Sequence, residues 1–146
     1  MGKTRIHKYY IFFMVCVLLP LLVGGILYYI FCPNVFFVKC IDSVTEIEVH
    51  LRPDMNNLIM RLVRFYGFDV IWAYSFTNMF FILVSIPHNW RNRYILIPIV
   101  FVSSIELLQK TNIMHGTFDY IDIVVQIIGS LFAMVIINIL KQYLFK

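Results

Sequence analysis

Charge is scarce in this chain. Only 14% of its 146 residues are charged, 8 of them acidic, while 61% are hydrophobic. A soluble fold of this length needs a polar coat, so so little charge excludes an ordinary soluble domain and fits one that turns apolar side chains outward as well as inward. The 12 basic residues are scattered without a basic stripe, which excludes a nucleic-acid partner. His7, His50, His88 and His115 stand without ligand spacing, and no serine, threonine or cysteine lies in a nucleophile motif. The chain therefore reads with no metal, no cofactor and a leaning away from enzymes. The histidines read as ordinary loop residues, with His115 alone falling near the acidic layer described below. The 3 cysteines form no CxxC or metal-type cluster. Cys32 and Cys40 could pair in an oxidising compartment or remain free thiols. No internal repeat or low-complexity tract is present.

What the chain has instead is long apolar runs. Tyr9 to Val38 carries no charge, and the four runs at about 9–32, 69–87, 94–110 and 119–140 predict a bundle of four transmembrane helices. The expected fold is a single all-α membrane domain over 1–146, with 33–68 as a short extracytoplasmic segment between the first and second helices. The start, Lys3, Arg5 and Lys8, resembles a secretory signal, but the long run without a small-residue cleavage site reads as a retained anchor. Pro20, Gly24 and Gly25 predict a bend or a close helix approach. Tyr9, Tyr29, Trp90, Tyr94 and Tyr143 suit interfacial anchoring. Within 33–68, VTEIEVHL alternates, and NNLIMRLVRFYG predicts an interfacial amphipathic helix. Seven basic residues fall on the side of both termini and five on the other, which places both termini in the cytoplasm. The acids all belong to the opposite side or its membrane half.

Three of those acids sit inside apolar runs, where a charge at the helix centre costs about 2.5–3.5 kcal/mol on insertion scales. At a rise of about 1.5 Å per residue, Glu106 lies about 18 Å along the third helix from Tyr94, about 10 Å below the outer boundary. On the fourth helix Asp122 lies about 6 Å deep and Gln126 about 12 Å deep. Asp69 opens the second helix at the same boundary. Asp119, Asp122, Gln126 and Gly129 share one helical stripe, and Ser103, Glu106 and Gln109 another. Asp69, Ser103, Glu106, Gln109, Asp119, Asp122 and Gln126 are thus the candidate polar pocket. Asp69 and Asp119 serve equally well as helix caps, and Lys110 is placed to neutralise Glu106. Gly129 and Ala133 form a small-xxx-small pair for helix packing.

SSIELLQKTNIMHGTFDYIDIVVQIIGSLFA, residues 103–133, resembles the signature of VanZ-like proteins, the family named for a teicoplanin-resistance protein. Ser103, Glu106, Gln109, Phe118, Asp119, Asp122 and Gly129 match it, and FYGFDVIWAYSFTNMFFIL looks like the family's Asp-headed helix, with Asp69 at the Asp position. Gly116 stands where the family has Arg, and Gln126 where it has Asn. The resemblance implies a multi-pass protein of the bacterial cytoplasmic membrane, linked to the cell envelope and in some members to glycopeptide resistance. It directs the expectation to a pocket for a cell-wall or lipid-linked component, with membrane lipids or another envelope protein as partners. Two other readings stay open: an intramembrane enzyme using the carboxylates directly or through a metal on a lipid headgroup, and a structural subunit of a membrane complex.

Overall fold

A computed structural model describes residues 3–33, 35–45, 49–50, 56–84, 91–111, 113 and 118–144. The described residues are predominantly helical and include no strand. Helix α1 (Lys3–Phe13) runs through a π-helical turn (Met14–Leu18) into α2 (Leu19–Phe31), making one unbroken rod. The turn has a local cause. Pro20 brings no N–H and would clash with the carbonyl four residues back, and the ladder widens just before it, with Leu19 N–H reaching Met14 O. The irregularity expected at Pro20 thus falls on the preceding turn.

The segment between the first two expected crossings differs from the expected loop. It holds α3 (Phe36–Thr45), and what read as a separate interfacial helix is the first turns of α4 (Leu58–Leu83). Asn57 starts α4 by accepting the N–H groups of Ile59 (3.0 Å) and Met60 (3.4 Å). Between Asn57 and Leu83 no proline intervenes, and a Cβ on Gly67 would meet only ordinary contact with Val63 at 3.5 Å. Nothing stops the helix, so its 26 residues extend about 39 Å. The expected end of that crossing at 85–87, part of the alternating stretch, His88, Trp90, His115 and Gly116 lie outside the described residues. Helix α5 (Arg91–Tyr94) precedes α6 (Leu96–Lys110), where Pro98 is tolerated in the first turn. Helix α7 covers Tyr120–Leu144.

Side-chain contacts set the packing directions. Asp69 meets Gln126, Val70 meets Gly129, and Tyr74 meets Phe132, so α4 and α7 run parallel. Their approach is close enough that a Cβ on Gly129 would lie 2.6 Å from the Val70 carbonyl oxygen, and Ala133 is fully buried below it. The α1–α2 rod runs antiparallel to α4: Tyr28 packs edge-on to Phe68 at 5.0 Å, a Cβ on Gly24 would meet Ile71, and Phe12 joins Phe81 at the far end. Helix α6 is antiparallel to α7, with Glu106 beside Gln126 and Ile95 beside Ile137.

Among the described residues two segments are long and apolar enough to cross a membrane, Tyr9–Phe31 and Tyr120–Leu140, with mean hydropathies of 2.6 and 2.5. Their apolar windows are only 22% and 28% buried in the bundle. A soluble core helix would hide most of that surface, whereas here Leu22, Ile26, Ile128 and Phe132 are more than half exposed. Such a surface suits lipid rather than water.

Candidate functional site

The parallel register of α4 and α7 decides which polar groups meet. With Gly129 seated on Val70, Gln126 comes level with Asp69, and α6 brings Glu106 to the same height. Gln126 Nε2 then donates to both carboxylates, to Asp69 Oδ1 at 3.2 Å and to Glu106 Oε1 at 3.3 Å. One amide therefore links three helices. Gln126 is 2% exposed and Glu106 5%, while Asp69 is only half-buried.

Asp122 lies one turn toward the N-terminus of α7 from Gln126 and is half-buried. Asp119 caps α7 by accepting the Ile121 N–H at 2.9 Å. Ser103, one turn before Glu106, has a buried hydroxyl without a hydrogen-bond partner. Gln109 is half-exposed on the turn after Glu106 and takes no part in the amide network. Lys110 does not neutralise Glu106. Its ammonium donates to the Tyr120 hydroxyl at 3.0 Å and lies 5.1 Å and 5.2 Å from the ring centres of Phe118 and Tyr120, because the antiparallel pairing brings it to the start of α7 instead.

The result is rich in acceptors and poor in donors. Glu106 Oε2 and Gln126 Oε1 are buried without a partner, beside the two bonds that Gln126 Nε2 makes. No basic side chain among the described residues pairs with these carboxylates. Nor does any group of three histidine, cysteine or acidic residues among them converge closely enough to hold a metal ion. The carboxylates converge on an amide, not on a common point.

Two further polar groups lie outside the candidate pocket; of their residues, the sequence relates only Ser75 to it, at three-residue steps after Asp69 and Trp72. Ser75, Thr77 and Asn78 of α4 and Ser130 of α7 are fully buried, with Ser75 Oγ, Thr77 Oγ1, Asn78 Oδ1 and Ser130 Oγ unpartnered and Asn78 Nδ2 donating to Tyr74 O at 3.1 Å. The cue was present, since Ser130 follows Gln126 by four residues and Ser75, Thr77 and Asn78 interrupt an apolar run. The second group joins α2 to α3. The Tyr29 hydroxyl donates to Asp42 Oδ1 at 2.6 Å, and His50 sets Nε2 2.9 Å from Asp42 Oδ2 and Nδ1 3.2 Å from the Tyr29 carbonyl. The Tyr29 hydroxyl, with His50 beside it, holds the Asp42 carboxyl below the usual carboxylate range. No spacing rule relates residues 29, 42 and 50, so no signal pointed to them. Cys16, Cys32 and Cys40 are all free thiols, Cys16 buried and Cys40 exposed.

No known family profile, curated protein or solved structure matches this chain.

Proposed function

We propose that this chain is a VanZ-like protein of a bacterial cytoplasmic membrane, crossing four times with both termini in the cytoplasm. Its acidic, amide-lined pocket faces the outer leaflet and recognises an envelope component, such as a lipid-linked cell-wall precursor, in a role tied to glycopeptide tolerance. The observation that carries the reading is the double hydrogen bond of Gln126 to Asp69 and Glu106, which gathers polar groups from three helices at one height in an otherwise apolar bundle. Ionisable groups inside a membrane bundle are costly and by default functional. The antiparallel run of the α1–α2 rod against α4, and of α6 against α7, supports four alternating crossings.

The test is complementation of a deletion strain by Glu106→Gln and Asp122→Asn. Both variants are expected to accumulate normally and to fail in envelope function. Full complementation by both at wild-type protein levels would overturn the pocket reading. The bonds of Gln126 also favour a second reading, in which these groups serve only to hold helices together within a larger membrane complex. On that reading Glu106→Gln lowers the melting temperature in detergent and function falls only in proportion.

A further inference from the structure

We infer that the acidic pocket takes a primary ammonium group, a deepening that rests on the envelope-recognition reading above. The hydrogen-bonding inventory carries it. Asp69, Glu106 and Asp122 offer carboxylate oxygens, and the amide donor set among them, Gln126 Nε2, already bonds two of them. Glu106 Oε2 and Gln126 Oε1 remain unpartnered, on side chains 5% and 2% exposed. Both are acceptors. The nearby cation, Lys110, is held instead against Tyr120 and Phe118.

A ligand completing this site must bring donors and positive charge together. A primary ammonium does so in one compact group, with three N–H donors that rotate to suit acceptors arriving from different helices. A quaternary ammonium brings the charge without the donors, and a divalent ion needs oxygens converging on one point, which the described residues do not supply. Asp69 and Asp122 are half-buried, whereas Glu106 and Gln126, which carry the unpartnered atoms, are almost fully buried. An ethanolamine-type lipid headgroup and a free amino group of an envelope peptide share this chemistry.

The experiment uses the full chain purified in mild detergent and exposed to mixed vesicles of phosphatidylethanolamine and phosphatidylcholine with identical acyl chains, with retained lipid measured by mass spectrometry. Wild type is expected to retain phosphatidylethanolamine over phosphatidylcholine by about tenfold or more, as a site built around hydrogen bonds rejects an analogue lacking them. Glu106→Gln should lose most of that preference. Where Glu106→Gln fails to fold, Asp122→Asn with an unchanged melting curve carries the same expectation. Competition by soluble ethylammonium assigns the source: displacement of the lipid marks the amine alone as sufficient, and resistance marks the whole headgroup. Equal retention of the two lipids by wild type, or an unchanged preference in a folded variant, overturns the inference. Equal retention alongside failed complementation by the two acid variants leaves envelope recognition standing without an amine, whereas full complementation removes the pocket reading itself.

Discussion

Gln126 is the residue on which the polar cluster turns. Its replacement by leucine keeps the volume roughly constant but removes the donor shared by Asp69 and Glu106, leaving buried acceptors unsatisfied. Such a loss costs about 1–3 kcal/mol, so Gln126→Leu should melt measurably below wild type in detergent, and an unchanged melting curve would show that the two bonds contribute nothing. Asp42 provides a test by pH. Its pKa is depressed first by the Tyr29 hydroxyl and then by His50. A depressed folded pKa means that the contribution is complete above the ordinary carboxylate range, near pH 4, and is lost as pH falls through the lower folded value. Protease protection of α3 should therefore hold at neutral pH and fail only in strong acid. Tyr29→Phe should move that failure to higher pH, and an identical acid profile for the two proteins would exclude the contact.

At the scale of elements, the α4–α7 contact sets Gln126 level with Asp69. Gly129→Ala would drive a methyl group to 2.6 Å from the Val70 carbonyl oxygen, and backbone cannot swing aside as a side chain can. Forcing the helices apart is expected to cost about 1–3 kcal/mol and to weaken the Gln126 bonds along with it. Gly25→Ala makes the control, because a Cβ there meets nothing within 4 Å. If both variants melt together with wild type, the close approach is not a feature of the folded protein. Helix α4 also shows how an element can exceed its pattern: amphipathic first turns and an apolar remainder look like two helices, yet hydrogen bonding propagates through any stretch without a breaker.

For the whole molecule, the proposed four-crossing topology makes a prediction about direction. Cys40 is an exposed, free thiol on α3, which the proposed topology puts outside. A membrane-impermeant maleimide should modify it in intact cells, with Cys40→Ser as the blank; modification only after permeabilisation would invert the topology and turn the acidic pocket toward the cytoplasm. The helical class and the membrane-compatible apolar runs of the chain follow from composition and run length alone, because lipid and hydrogen-bond satisfaction leave a long uncharged segment little choice but helix. The acids at 69, 106 and 122 were also legible, being costly groups in apolar surroundings. What the sequence could not specify was which polar groups meet. That Lys110 turns to Tyr120 instead of Glu106, that Gln126 bridges two acids, and that His50 joins Tyr29 and Asp42 are consequences of helix register and direction. Those are decided by how closely a glycine lets two backbones approach, a distance that no one-dimensional spacing contains.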